Sequence, residues 1–95
     1  KVTATKVGIS PATKRPMFII DFDSDNSELL RDALPQVSTS AGTIIAPVVQ
    51  PNPKTGGVRL SFELDTKDAG LCELRALLTK ADHSVSETWL YRWRS

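Results

Sequence analysis

The densest group of potential metal ligands in the sequence is the acidic run Asp21-Phe22-Asp23-Ser24-Asp25-Asn26. Carboxylates at alternate positions are how an EF-hand loop begins, because each supplies a hard oxygen to calcium. The register then fails, since the sixth position is Asn26 rather than glycine and the twelfth is Asp32 rather than a bidentate glutamate. We therefore interpret the run as a strand end followed by a polar turn, and we predict no metal site and no cofactor.

Residues capable of acid–base or nucleophilic chemistry are present but scattered. Glycoside hydrolysis needs two carboxylates across a cleft, and the 11 acidic residues offer pairs by chance without indicating a cleft. His83 is the only histidine, and a hydrolytic triad also needs a nucleophile and an orienting group. Cys72, the only cysteine, occupies an inward position of a predicted strand and suits a small core residue. We predict no catalytic residues, so this domain is not expected to be an enzyme.

Aromatic residues near the C-terminal end are the strongest candidates for a contact role. Their alternation admits two interpretations, because aromatic faces stack on sugar rings but also pack against partner domains and fill sandwich cores. Glu87 shares the parity of the aromatics and Leu90 has the opposite one, so the sequence leaves open which face points inward. An arginine within the run could hold a carboxylate or a sugar hydroxyl. The candidate contact or glycan-binding residues are therefore Trp89, Tyr91, Trp93 and Arg92.

The elements that would position these residues are short strands. Residues 58–65 alternate strictly between apolar and polar side chains, which is the pattern of a half-buried antiparallel strand. Similar patterns predict further strands over residues 2–9, 17–22, 36–40, 43–50, 72–79 and 83–94. Pro47 indicates an edge strand or a bulge. A short helix is predicted over 27–34, with Ser27 as its N-cap and Pro35 as its stop.

About seven antiparallel strands separated by turn signals predict an all-β, immunoglobulin-like sandwich over residues 1–95, as a single domain. The fibronectin-like branch is closer, because the Cys–Trp–Cys set of antibody domains is absent. Leu77 is an exception to the alternation of its strand, and we expect it to be exposed to a neighbouring domain.

Charge and hydropathy exclude several classes of partner. With 12 Lys and Arg against 11 Asp and Glu, the chain lacks the basic excess of a dedicated nucleic-acid binder. No apolar run has the length needed to cross a bilayer, so we expect no membrane insertion. The sequence shows no signal peptide and begins with Lys1 rather than Met, and we interpret it as a fragment of a larger protein.

Four segments have a distinctive order and spacing. The longest is Val-Val-Gln-Pro-Asn-Pro-Lys-Thr-Gly-Gly-Val-Arg-Leu-Ser-Phe at 48–62. Glu-Leu-Arg-Ala at 73–76 and Ser-Glu-Thr-Trp-Leu-Tyr-Arg at 86–92 follow it, and Phe-Ile-Ile-Asp-Phe at 18–22 precedes it. These segments resemble successive strands of the periplasmic glucan biosynthesis proteins, the G and D proteins of osmoregulated periplasmic glucan synthesis. The acidic loop at 23–28 departs from the family pattern.

This resemblance implies a fold and a pathway. Proteins of the family have a large N-terminal domain with a cleft and a small C-terminal immunoglobulin-like domain, and they act in the periplasm on linear β-1,2-linked glucan. Where members hydrolyse the glucan, the catalytic acids lie in the large domain, and none of them is carried over to this chain. The resemblance thus implies a non-catalytic accessory domain whose partners are the N-terminal large domain, and β-1,2-glucan or a membrane glucosyltransferase.

Two alternatives stay open at this point. One is a carbohydrate-binding module that contacts the glucan directly through exposed aromatic side chains. The other is a free-standing adhesion module with no relation to glucans.

Overall fold

The computed structural model describes the backbone of residues 1–95 and every side chain except that of Ser27. Within this part of the chain, no helix is long and apolar enough to cross a membrane. A single 3₁₀ turn accompanies the strands, which are β1 (Val2–Ile9), β2 (Pro16–Phe22), β3 (Leu34–Thr39), β4 (Thr43–Pro51), β5 (Val58–Asp65), β6 (Leu71–Lys80), β7 (His83–Ser84) and β8 (Trp89–Arg94). The domain is all-β, as predicted, and it has eight strands because the predicted strand over 83–94 divides into β7 and β8.

The strands form two antiparallel sheets that enclose one core. The first sheet has the order β1-β2-β5-β4, and in the second β6 pairs with β3 along one edge and with β7 and β8 along the other. The predicted β-sandwich is confirmed. Strands β1-β2-β5-β4 and β3-β6-β8 follow the same order as strands ABED and CFG of constant-type immunoglobulin domains, so the topology favours the immunoglobulin-like prediction.

The core lies between the sheets and follows from period-two alternation in the central strands. Every second residue of β5 is buried, and β2 and β6 obey the same rule over most of their length. Cys72 is fully buried and free, so the prediction that it is a core residue is confirmed. The other side chains completely shielded from solvent are Phe18, Ile20, Phe22, Leu60, Leu64, Ala76 and Leu78.

Leu77 is a residue for which the prediction was wrong. It does lie on the outer face of β6, paired with Gln36 of β3, but it is only 9% exposed. Its burial within this domain leaves little apolar surface there for a neighbouring domain to cover.

The helix predicted over 27–34 is wrong beyond its first turn. Ser27–Leu29 form one 3₁₀ turn, after which the chain turns again and enters β3. The segment between the predicted cap and the predicted stop instead places Leu30 and Ala33 in the core cluster. Apolar residues three apart can be buried either by a helix or by successive turns. Here the chain forms turns, and these place both residues over the core.

The edge formed by β3 and β4 carries the features that protect sheet edges. β4 is the last strand of the first sheet, and its pairing with β5 shifts register between Ile45 and Val48. Ala46 has a φ of 51°, so the strand bulges there, and Pro47 lies within the bulge. The prediction of an edge or bulge at Pro47 is therefore confirmed. β3 is the edge strand of the second sheet and contains Pro35.

Candidate contact surface

Strand β8 turns its aromatic residues toward the core. Trp89, Tyr91 and Trp93 pair across the sheet with Ala76, Leu74 and Cys72, which are the inward residues of β6. Residues directly opposite in antiparallel strands share a face, so all three rings lie on the inner side of the second sheet. Trp89 is only 6% exposed, whereas Tyr91 and Trp93 are half-buried. The sequence left open which face of this strand points inward, and the structure shows that it is the aromatic face.

The buried rings form one interlocked cluster. The rings of Phe18 and Phe62 are stacked with their centroids 5.1 Å apart, and the Trp89 ring meets both edge-on at 6.0 and 6.1 Å. Tyr91 stacks on Trp89 at 5.5 Å and also meets the edge of Phe18. The indole Nε1–H of Trp89 donates to Thr5 Oγ1 at 3.1 Å. Trp89 therefore joins the two sheets, and its ring is inaccessible to a ligand in this fold.

The outer side of β8 combines an exposed leucine with arginines. Leu90 is 72% exposed, the largest exposure of any large apolar side chain described. Arg92, the fourth candidate residue, points outward beside its cross-strand neighbour Glu73, and its Nε donates to Glu73 Oε1 at 2.7 Å. The structure thus separates Arg92 from the three aromatic candidates by placing it on the opposite face. Sequence reasoning missed Leu90, although its opposite parity to the aromatics was a signal.

Strands β1 and β8 are the outer strands of the two sheets at the remaining edge of the sandwich, and side-chain hydrogen bonds connect them. The amide of Val2 donates to Glu87 Oε1, and Thr5 accepts the bond from Trp89, so both strands advance in the same direction. We call this edge the β1–β8 seam, and we define it by the inward residues Val7 and Ile9 of β1 and Tyr91 and Trp93 of β8. Val7 and Ile9 pair with Phe18 and Pro16, and they are 43% and 60% exposed.

The acidic run is held by hydrogen bonds to its own backbone. Asp23 Oδ1 accepts the amide of Ser24 at 2.8 Å, and Ser24 Oγ accepts the amide of Asn26 at 3.1 Å. Asn26 caps the 3₁₀ turn by accepting the Glu28 amide at 3.1 Å. The predicted cap, the side chain of Ser27, lies outside the described residues. These bonds fit the interpretation of the run as a polar turn.

The carboxylates on the outer face of the first sheet are occupied by arginines. Arg59 donates two hydrogen bonds to Asp21, at 2.7 and 3.1 Å, and these bonds lower the pKa of Asp21 below its ordinary value. Glu63 Oε1 accepts a hydrogen bond from Thr13 Oγ1 at 2.8 Å and lies 3.5 Å from Arg15 Nη1. Each acid on this face is therefore compensated locally.

Two open clefts border the turns. The smaller, of about 330 Å³, has apolar walls that include Leu30 and Val58 and a rim that includes Arg31. The larger, of about 600 Å³, is lined mainly by polar residues of the acidic run and of the segment before β8. No aromatic side chain lines either cleft among the described residues, and no three or more of the described His, Cys, Asp and Glu side chains are grouped to hold a metal ion.

Comparison with known proteins gives a consistent result. Residues 1–93 match the family described as periplasmic glucan biosynthesis protein, MdoG. The chain is 41% identical to glucans biosynthesis protein G of Shewanella frigidimarina, and 98% of the chain aligns with 17% of that relative. The corresponding protein of Vibrio cholerae is 37% identical over 98% of the chain, and that of Rhodopseudomonas palustris is 40% identical over 94%. The chain spans about a sixth of the length of these relatives.

Proposed function

Because this chain belongs to the periplasmic glucan biosynthesis protein family MdoG, we propose that it is a non-catalytic accessory domain that holds the rest of its parent protein, or a partner, through β8. The chain is one domain of a larger protein, and the family description places it in the periplasm. We further propose that it lies C-terminal to a large domain that performs the chemistry on the glucan.

The observation that carries this proposal is the exposure of Leu90 on a strand whose other face lies in the core. Leu90 lies beside Arg75 across the strand pair, and the Arg92–Glu73 ion pair follows directly. Protein interfaces commonly combine a central apolar anchor with arginine and a polar rim. Burying a leucine side chain contributes about 1.5–3 kcal/mol, so covering Leu90 would stabilise a docked arrangement substantially.

The ion pairs of its carboxylates support the proposal that the domain is non-catalytic. Asp21, with a lowered pKa, and Glu63 are both engaged by arginines, whereas a general acid needs a raised pKa and access to a substrate. His83 lies exposed in the two-residue strand β7. These placements support a binding role over an enzymatic one.

A pair of matched leucines tests the contact. In the parent protein, Leu90→Asp should weaken docking, whereas Leu34→Asp changes a similarly exposed leucine, at 62%, on the far edge strand of the same sheet. Hydrogen exchange of the β8 amides in the parent protein should become roughly 10- to 100-fold faster with Leu90→Asp, the range that leucine burial corresponds to. Equal effects of the two substitutions, or none from Leu90→Asp, would refute the assignment of β8.

A second candidate function is direct binding of β-1,2-glucan, and the position of Trp93 favours it. Trp93 is half-buried at the β1–β8 seam, and none of the close aromatic ring pairs of the described residues includes it. Stacking of a sugar ring requires such an accessible aromatic face. In a fluorescence titration of the 95-residue chain with linear β-1,2-glucan, Trp89→Phe should retain the response and Trp93→Phe should lose it. An unchanged spectrum of the unsubstituted chain would exclude this function.

A further inference from the structure

The two sides of the sandwich differ in how their sheet edges are protected. β3 and β4 carry Pro35, Pro47 and a bulge, which are devices that prevent an edge from pairing with another strand. β1 extends over eight residues, and its only register shift lies between Val2 and Ala4, so residues 5–9 form a regular edge. β8 extends over six residues, and neither strand contains a proline. Both of these edges lie at the β1–β8 seam. Residues 5–9 of β1 therefore lack the prolines and the bulge that interrupt the opposite edges.

The free backbone groups of β1 can be located from its pairing with β2. The Ser10 amide donates to the Arg15 carbonyl at 2.9 Å, so that pair is hydrogen-bonded. Hydrogen-bonded and non-hydrogen-bonded pairs alternate along an antiparallel ladder. Ile9, Val7 and Thr5 are then the residues whose amides and carbonyls point away from β2. The partner of Ile9 is Pro16, which has no amide to donate, in agreement with this alternation.

The same residues leave apolar surface exposed at the seam. Val7 and Ile9 lie on the inner side of the first sheet, opposite Phe18 and Pro16, yet they are exposed, whereas inward residues of the central strands such as Phe18 and Leu60 are fully buried. The half-buried Tyr91 and Trp93 lie on the inner side of the second sheet at the same edge of the sandwich. A row of unpaired backbone groups beside apolar side chains is the arrangement that binds an extended strand in β-augmentation.

We infer that the β1–β8 seam accepts an extended segment of the parent polypeptide, which adds to β1 as an antiparallel or parallel strand and covers Val7, Ile9 and Trp93. This inference rests on the proposed function, since it names the mode of contact with the parent. The chain is about a sixth of the length of its relatives, so most of the polypeptide lies outside it. A segment tethered by a short flexible linker reaches an effective concentration of the order of millimolar, which favours it over a second copy of the domain.

Hydrogen exchange of three amides tests the inference. The amides of Thr5, Val7 and Ile9 should exchange rapidly in the 95-residue chain and roughly 100-fold more slowly in the parent protein, as for edge amides that become paired. Val7→Pro removes an outward amide without removing a bond to β2, and it should abolish the protection of Thr5 and Ile9 in the parent. Val7→Thr retains the amide and the branched side chain, and it should leave the protection intact.

The outcomes separate this inference from the broader proposal. If the outward amides of β8 are protected from hydrogen exchange in the parent protein and those of β1 are not, strand addition at β1 is refuted and docking through β8 is retained. If neither strand is protected, both the inference and the proposed function are refuted. Concentration-dependent dimerisation of the 95-residue chain that protects the same three amides would assign the seam to a second copy and overturn the parent segment. If Val7→Pro unfolds the domain, Ile9→Pro provides the same test, because its amide also points outward.

Discussion

Replacing Trp89 by alanine should cost the domain a large part of its stability. Truncation of a buried tryptophan typically costs about 3–5 kcal/mol, and a chain of this length has about 5–14 kcal/mol in total. Here the ring contacts Phe18, Phe62 and Tyr91 and donates a hydrogen bond to Thr5. The loss should therefore fall in the upper part of that range, because both ring packing and a bond between the sheets disappear.

Urea denaturation followed by circular dichroism measures this loss. With a slope of about 1.5 kcal/mol/M, the urea midpoint of Trp89→Ala should fall by about 3 M. Trp93→Ala is the matched control, since Trp93 lies on the same face of β8 but is half-buried, and it should shift the midpoint about half as far.

Trp89→Phe keeps an aromatic ring and removes the hydrogen bond. The lost bond should lower the free energy of unfolding by about 1 kcal/mol, in addition to the effect of the smaller ring. A Trp89→Ala midpoint no lower than that of Trp93→Ala would refute the placement of Trp89 in the core.

Three further outcomes follow from the packing and the charges. Asp21→Asn should lower the free energy of unfolding by under about 1 kcal/mol at neutral pH. Because the hydrogen bonds from Arg59 lower the pKa of Asp21 in the folded state, this stability difference is fully present above pH 3.8, the ordinary pKa of the group. It disappears as the pH falls through the lowered pKa of the folded state. Gly57→Ala should destabilise by more than about 2 kcal/mol because a Cβ there overlaps a β2 carbonyl, whereas Gly8→Ala, in open space, should leave the urea midpoint almost unchanged. Cys72 should react with a thiol reagent only at the rate of unfolding, and fast labelling in native buffer would contradict its complete burial.

The strands that the sequence predicted best are those with one buried face. β5 has the predicted bounds, 58–65, because each of its residues follows strict alternation and no turn residue interrupts it. β2 begins one residue earlier than predicted, at Pro16. Pro47 also indicated the bulge correctly, since a residue without an amide is excluded from a regular ladder. Local chemistry was sufficient in all three cases.

The orientation of β8 could not be read in the same way. Glu87 has the parity of the aromatic residues, which left open whether their face was buried or solvated. In the structure Glu87 precedes the strand, and its carboxylate accepts the amide of Val2, 85 positions away. The seam likewise depends on which two edge strands meet, a property of the topology that no local pattern encodes. The three candidate rings share one face of β8, and their surroundings depend on these distant contacts.

The hydrogen bond between Thr5 and Trp89 also has a consequence for how the domain forms. It connects residues 84 positions apart, and it closes the sandwich between its first and last strands. Folds dominated by such distant pairings have a high contact order and fold in about milliseconds to seconds, because chain entropy is lost before the contacts form. Until β8 arrives, the stacked rings of Phe18 and Phe62 lack their cover. During synthesis and refolding, the central strands β2 and β5 are therefore the segments most exposed to aggregation and to chaperone capture.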